Sequence, residues 1–190
     1  RFRSVRQAYT GPEMEDDVVA LYPHCTFGLN PRAASIDTPL HGLIDYPHVD
    51  HVHPDAIIAI AASVDGEAIT REIYGDEIGW LPWRRPGFEL GLMLEKFARE
   101  NPKAIGAVLG GHGLFTCADD PRTCYETTIA TINKAIAWLA AKSATADVFG
   151  GAAVTAAEKG ERRSVVARLM LAIRGEIGRE ERKIGHFDDS

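Results

Sequence analysis

Long apolar runs are absent from this sequence of 190 residues, and cysteine is scarce. No stretch approaches the roughly 18 consecutive apolar residues of a membrane-spanning helix, so we expect no membrane partner. The three cysteines, Cys25, Cys117 and Cys124, form no CxxC pair, which is typical of a reducing compartment. Acidic residues outnumber basic residues by 27 to 21, and the net charge of −6 argues against nucleic acid as a partner. The basic start, RFRSVRQAY, lacks the apolar core of a signal peptide, so we predict a cytoplasmic protein.

The composition that remains is that of an ordinary globular protein, 45% hydrophobic and 25% charged. This length favours a single domain that spans residues 1–190. The first residue is not methionine, and the polar end REERKIGHFDDS closes no structural unit. We therefore expect the chain to be a fragment of a longer polypeptide.

Apolar runs alternate with segments of helical periodicity, which predicts an α/β fold with a central sheet flanked by helices. AIGAVLGG, an apolar run closed by glycines, indicates a buried strand. Apolar spacing predicts helices in GFELGLMLEKFARENP, CYETTIATINKAIAWLAAKS and SVVARLMLAIRGEI. We expect loop and a short strand in CTFGLNPRAASIDTPLHGLI, and one or two strands in ITREIYGDEIGWLPW.

Three of the seven histidines fall in HVDHVHPDA. Alternation with period two places His51 and His53 on one face of a strand, roughly 7 Å apart along the backbone, so both rings can reach one ion. His48 lies an odd number of positions from the pair and faces away. A pair of exposed histidines on an edge strand would also explain the motif.

A third histidine, His112, lies in GGHGLFT directly after the predicted buried strand. Zinc sites that catalyse reactions use three protein ligands and leave one position open, so His112 can complete a site with the pair. The glycines around it allow a tight turn, although such sequences also form plain turns. We interpret His24 and His41 as packing residues or residues around the site, and His186 as solvated.

DTPLHGL, HVHPDA and GGHGLFT occur in an order and at distances that resemble the class II aldolase/adducin superfamily. The segment GDEIGWLPWRRPGFELG resembles the rhamnulose-1-phosphate aldolase branch, in particular the aldolase portion that is fused to a short-chain dehydrogenase. The resemblance runs from about Tyr22 to Ser143. It implies the superfamily's central β-sheet flanked by helices, in three α/β/α layers, and a homo-oligomer, commonly a tetramer.

The resemblance also implies roles for five residues. His51, His53 and His112 match the ligands of Zn²⁺ or another divalent ion, and Asp37 matches the catalytic carboxylate, which is Glu in most members. Ser35 matches a small polar residue that holds the substrate phosphate. The Gly-Asn-rich phosphate loop of the family has no match in residues 1–21, and the dehydrogenase portion is absent.

The implied reaction cleaves a ketose 1-phosphate, L-rhamnulose 1-phosphate in this branch, to dihydroxyacetone phosphate and L-lactaldehyde. Zinc as a Lewis acid stabilises the enediolate charge, and Asp37 moves the proton. Two alternatives stay open: a zinc-dependent sugar-phosphate epimerase or dehydratase, and a non-catalytic, adducin-like assembly module. We interpret Trp80, Trp83 and Phe88 as core or subunit-contact residues, and Glu72 and Glu77 as solvated residues.

Overall fold

The computed structural model of the chain describes residues 2–28, 32–144, 154–155 and 157–188. The described residues form two compact units, one up to residue 144 and one from residue 154 onward. The helices of the first unit are α1 (Phe2–Val5), α2 (Glu15–Val19), α3 (Thr38–Gly42), α4 (Asp55–Ala61), α5 (Gly66–Tyr74), α6 (Phe88–Glu100) and α7 (Pro121–Ser143). Its strands are β1 (His48–Val52), β2 (Ile78–Leu81), β3 (Gly106–Leu109) and β4 (Gly113–Ala118). Short 3-10 helices cover Pro12–Met14 and Tyr22–Cys25.

The four strands form one mixed sheet in the order β1-β4-β3-β2. β3 and β4 are an antiparallel hairpin, β1 pairs antiparallel with β4, and β2 pairs parallel with β3. β1, β2 and β3 therefore run in the same direction. Their C-terminal ends lie at one edge of the sheet, together with the turn between β3 and β4.

Side chains on the two faces of the sheet pack against different helices. One face is covered by α3 and α6, and the other by α4, α5 and α7. The core of the first face contains Leu40, Leu81, Leu90, Leu94, Ala107, Leu109 and Phe115, and that of the second contains Ile57, Ile60, Tyr74, Ile78, Val108, Leu114 and Ala135. This arrangement confirms the predicted three-layer α/β/α fold.

The segment ITREIYGDEIGWLPW contains one strand, within the one or two predicted, whereas the short strand predicted in CTFGLNPRAASIDTPLHGLI does not form in its described residues. The residues ITREIY lie in helix α5, and only the residues that follow them form a strand, β2. Apolar residues of α5 face the sheet at helical spacing, and this packing overrides the strand preference of Ile and Tyr. The predicted short strand before His48 is absent among the described residues 25–28 and 32–47, where α3 forms instead and begins with Pro39 in its first turn.

Other predicted elements are confirmed. The buried strand of AIGAVLGG is β3, and helix α6 ends at Glu100, two residues before Pro102. In the second unit, helix α8 (Lys159–Ile177) contains the predicted SVVARLMLAIRGEI and ends before Gly178. Among the helices of the described residues, none combines the length and apolarity that crossing a bilayer requires.

Candidate metal centre

The turn that carries His112 is held by backbone hydrogen bonds to three different segments. The Gly110 N–H donates to the Leu81 carbonyl at 2.8 Å, and the Gly111 N–H donates to the Ala61 carbonyl at 2.7 Å. The His112 N–H closes the turn on the Leu109 carbonyl at 3.0 Å. Gly111 has a φ of 64°, a left-handed conformation that glycine adopts without strain. The turn predicted from the glycines is therefore present, and it fixes the backbone of His112.

Strand pairing brings the other two histidines to the same edge. His51 lies opposite Phe115 and Val52 opposite Leu114, so the chain at His53 continues beside Gly113, next to His112. Gly113 has no Cβ, and therefore leaves room for the rings of His51 and His53. A Cβ there would lie 2.8 Å from Cδ2 of His53 and 3.3 Å from Cε1 of His51. The closeness of the histidines thus depends on a glycine at position 113.

The ring of His51 is fixed in orientation and in tautomer. It stacks on Phe115 with ring centroids 4.2 Å apart, and its Nδ1 lies 3.1 Å from the Leu114 carbonyl oxygen. A carbonyl only accepts, so Nδ1 donates and carries the proton of the neutral ring. Burial lowers the pKa of His51 to about 4, against the opposing effects of the Leu114 carbonyl and the Asp37 carboxylate. The lone pair of Nε2 is therefore available near neutral pH.

The three imidazoles converge. Nε2 of His51 lies 3.2 Å from Nε2 of His112, and the potential ligand atoms of His51, His53 and His112 all lie within 4.8 Å of one another. Two nitrogens bound to one tetrahedral zinc at about 2.0–2.1 Å are about 3.3 Å apart. Burial also lowers the pKa of His112, which keeps a second ring neutral. The donor set and its spacing fit a divalent ion such as zinc.

Asp37 immediately precedes α3, at the N-cap position, but its side chain makes no capping hydrogen bond. Its Oδ1 is buried and, among the described residues, has no hydrogen-bond partner; the same is true of Nδ1 of His112. The Asp37 carboxylate interacts electrostatically with His41, His51 and His112, and it opposes the lowering of each pKa by burial. The tertiary fold therefore brings the Asp37 carboxylate close enough to His41, His51 and His112 to interact with each of them.

Ser35 is exposed and adjoins the same segment. Its Oγ accepts the backbone N–H of Asp37 at 3.1 Å, and its carbonyl accepts the Thr38 hydroxyl at 2.6 Å. These contacts shape the turn that presents Asp37. The structure thus gives Ser35 a local role in addition to the phosphate contact that the sequence resemblance implies.

Most of the other polar candidates lie outside this cluster. Glu77 pairs with Lys134 at 2.7 Å, and Glu72 accepts from the indole N–H of Trp138 at 2.8 Å, both at the surface. The ring of His41 is 6.3 Å from that of His51 and 5.3 Å from that of Phe115, so it borders the site. His24 and His186 are exposed.

The sequence did not indicate the role of Phe115, and it indicated Gly113 only as one of the glycines that allow the turn. Phe115 supports the His51 ring, and Gly113 leaves room for the His pair. Both lie in the quoted motif GGHGLFT. Alternation along β4 places Phe115 on the same face as His51, but this becomes visible only once β4 is known to pair with β1.

The fold and site define an α/β/α protein with a cluster of three histidines at the strand ends that could hold a metal ion. Residues 13–139 match the model of the class II aldolase and adducin N-terminal domain, and this match contains all five predicted site residues. The chain therefore belongs to the class II aldolase/adducin family.

Two of the proteins that are similar to this chain come from Bacillus subtilis and Thermoplasma acidophilum. An uncharacterized oxidoreductase of Bacillus subtilis, YuxG, is 35% identical over 175 residues, which are 92% of this chain and 25% of that protein. The N-terminal class II aldolase domain of a conserved protein from Thermoplasma acidophilum is 26% identical with a TM-score of 0.63, over 73% of this chain and 64% of that one. The present chain thus spans a quarter of its Bacillus relative.

Proposed function

We propose that this chain is a zinc-dependent aldolase, a carbon–carbon lyase that cleaves L-rhamnulose 1-phosphate to dihydroxyacetone phosphate and L-lactaldehyde. One observation carries the proposal: His51, His53 and His112 place their ligand atoms within 4.8 Å of one another. The Asp37 carboxylate interacts with two of these rings and has a buried oxygen without a partner among the described residues. Family membership supports the reaction class, and the GDEIGWLPWRRPGFELG resemblance supports the sugar.

His51, His53 and His112 would hold the divalent ion. When bound, the ion would supply Lewis-acid stabilisation of the negative charge that develops on the ketose oxygens as the carbon–carbon bond breaks. The Leu114 carbonyl and Phe115 keep the His51 ring in the tautomer and orientation that this requires.

Asp37 would accept the hydroxyl proton of the ketose 1-phosphate and return a proton to the three-carbon fragment. Among the described residues, its Oδ1 has no hydrogen bond that would have to break first. Ser35 holds the Asp37 backbone and, in this proposal, donates its hydroxyl to a substrate phosphate oxygen. A hydroxyl accepts and donates at once, so these two roles are compatible.

The proposal extends to the location of the protein, its oligomeric state and the longer polypeptide. We propose a cytoplasmic homo-oligomer, a tetramer as the sequence resemblance implies, with residues 1–190 as the aldolase portion of a longer polypeptide. A short-chain dehydrogenase portion would then oxidise the aldehyde product. The size of the Bacillus relative and its description as an oxidoreductase support this arrangement.

Metal analysis combined with a cleavage assay on L-rhamnulose 1-phosphate tests the function. About one equivalent of zinc per chain, with metal-dependent release of dihydroxyacetone phosphate, is the expected result. Zinc without cleavage would favour an epimerase or dehydratase that uses the same histidines. A chain that binds no divalent ion would favour an adducin-like assembly module.

A further inference from the structure

Trp83 is a large apolar side chain that remains 62% exposed, directly after β2. It lies against the turn that carries His112. A Cβ at Gly111 would come 3.0 Å from Cδ1 of the indole, and a Cβ at Gly110 would come 3.2 Å from the Trp83 backbone nitrogen. The indole of Trp83 therefore occupies space that Gly111 leaves open, one residue away from His112.

The segment that carries Trp83 is held in place. The Leu81 carbonyl accepts the Gly110 N–H at 2.8 Å, which ties the end of β2 to the turn. Pro82 lies between Leu81 and Trp83, and its ring fixes its own φ and restricts Leu81 to extended conformations. An exposed indole on a fixed backbone offers an apolar surface at little cost in conformational entropy.

Sheet order places Trp83 on a particular side of the metal centre. β1, which leads to His53, and β2, which leads to Trp83, are the two outer strands, and His112 lies in the turn between the inner strands. α3, which begins next to Asp37, packs on the face of the sheet that carries Phe115, and Phe115 stacks on His51. The ligand pair and Trp83 thus lie on opposite sides of His112 along this edge.

We propose that the indole of Trp83 is the wall of the site that contacts the aldehyde half of the substrate and favours an apolar substituent there. The proposal rests on the proposed aldolase function. In the proposed function the phosphate-bearing half would contact Ser35, Asp37 and the ion that the histidines would hold, so the half that leaves as the aldehyde would extend past His112 toward β2. In this proposal Trp83 determines substrate specificity. From the sequence alone we instead interpret it as a core or subunit-contact residue.

Kinetics of the reverse reaction, addition of dihydroxyacetone phosphate to an aldehyde, test this role in the full chain. In Trp83→Ala the KM for L-lactaldehyde is expected to rise about tenfold, the effect of losing one aromatic contact. The KM for glycolaldehyde, which lacks the methyl group, and the KM for dihydroxyacetone phosphate should stay within about twofold, since neither presents an apolar substituent to the indole. Zinc content should not change, and Trp83→Phe should restore most of the discrimination.

Tyr125→Ala is the matched control. Tyr125 is also 62% exposed, but it lies near the start of α7, which follows the other end of β4. This variant should keep every KM. An equal rise for both aldehydes and dihydroxyacetone phosphate, or loss of zinc, would show that Trp83 only supports the turn and would overturn the proposal. A change in subunit number with unchanged KM values would do the same.

Fluorescence separates failure of this inference from failure of the proposed function. Binding of L-rhamnulose 1-phosphate should change the tryptophan emission of the wild type and of Trp138→Phe in a saturable way, and leave that of Trp83→Phe unchanged. Trp138 contacts Glu72 on the surface and serves as the control. A saturable change without aldol cleavage would refute the reaction and retain the Trp83 contact. No saturable change in the wild type would refute the contact.

Discussion

Nε2 of His51 and Nε2 of His112 lie 3.2 Å apart although 61 positions separate the two residues in the chain. Two antiparallel pairings produce this approach, because β4 pairs with both β3 and β1. The Leu114 carbonyl accepts a hydrogen bond from Nδ1 of His51. The other ring nitrogen of His51, Nε2, therefore faces His112. The position of this pair is therefore set by backbone hydrogen bonds, and its spacing fits a shared ion.

Removing either of these histidines should abolish metal binding. His51→Ala and His112→Ala are each expected to weaken zinc affinity by more than about 100-fold, because two ligands remain where a catalytic zinc needs three. Zinc content after dialysis, measured by mass spectrometry, checks this. His48→Ala is the control, since His48 belongs to β1 but lies outside the cluster. A full equivalent of zinc in either variant would contradict the ligand assignment.

Asp37→Asn should retain zinc and lose cleavage. The amide keeps the shape of the side chain but cannot take a proton, so we expect a fall in kcat of about 10²–10⁴. Asp45→Asn is a suitable control, because Asp45 is exposed and pairs with Arg3. Turnover close to that of the wild type in Asp37→Asn would show that another group acts as the base.

Gly113→Ala should impair the metal centre without touching a ligand. The new methyl group would meet Cδ2 of His53 and the Val52 carbonyl oxygen, each at 2.8 Å, and at least one of them must move. We expect zinc affinity to fall about 10- to 100-fold, as for other groups that orient ligands. Calorimetric titration with zinc measures the loss. Gly175→Ala, where a Cβ meets nothing within 4 Å, should bind zinc normally.

The metal-free protein should lose stability as the pH falls from about 6.5 to about 4. Burial lowers the pKa of His51 from 6.5 to about 4, so the unfolded chain binds this proton first and acid favours unfolding within that window. The free energy of unfolding should fall by on the order of 2 kcal/mol, which is less than the full pKa shift implies because solvent screens the half-buried ring.

Urea denaturation at several pH values, with a chelator present, measures this loss of stability. The slope should decrease in His51→Asn to the part that His41 and His112 contribute, because burial lowers the pKa of both. It should persist in full in His186→Asn, since His186 is exposed; an unchanged slope in His51→Asn would contradict the assignment.

Glu15 should be a structural carboxylate. It is 2% exposed and accepts the Phe88 N–H at 2.6 Å, the Glu89 N–H at 2.9 Å and the Tyr9 hydroxyl at 2.8 Å. Glu15→Gln replaces charge-assisted bonds at the positive end of α6 and should lower the free energy of unfolding by about 1–3 kcal/mol. Thermal denaturation checks this against Glu13→Gln, at an exposed position that should change stability little. Equal stability of the two variants would show that the buried charge contributes nothing.

Local sequence patterns predict several helices and one strand of the fold. Apolar periodicity predicts α6, α7 and α8, and the glycine-closed run predicts β3, because these elements depend on their own residues. The strand predicted in ITREIYGDEIGWLPW begins only at Ile78, because the β-branched residues before it line the buried face of helix α5 once a sheet is present to cover it. Packing against the sheet decides between helix and strand here, and a short stretch of sequence contains no information about that packing.

Residue identity alone establishes the imidazole side chains and the alternation of His51 with His53, since period two is a property of any extended chain. It also establishes that a glycine-flanked histidine follows a buried strand. That these residues meet follows only from the packing of distant segments. Antiparallel pairing of β1 with β4 brings His51 to His112, the start of α3 brings Asp37 to both, and the end of β2 brings Trp83 to the turn. The first and third of these approaches depend on backbone hydrogen bonds, and the second on apolar packing of α3 against the sheet. All three join segments far apart in the chain, and no local pattern encodes them.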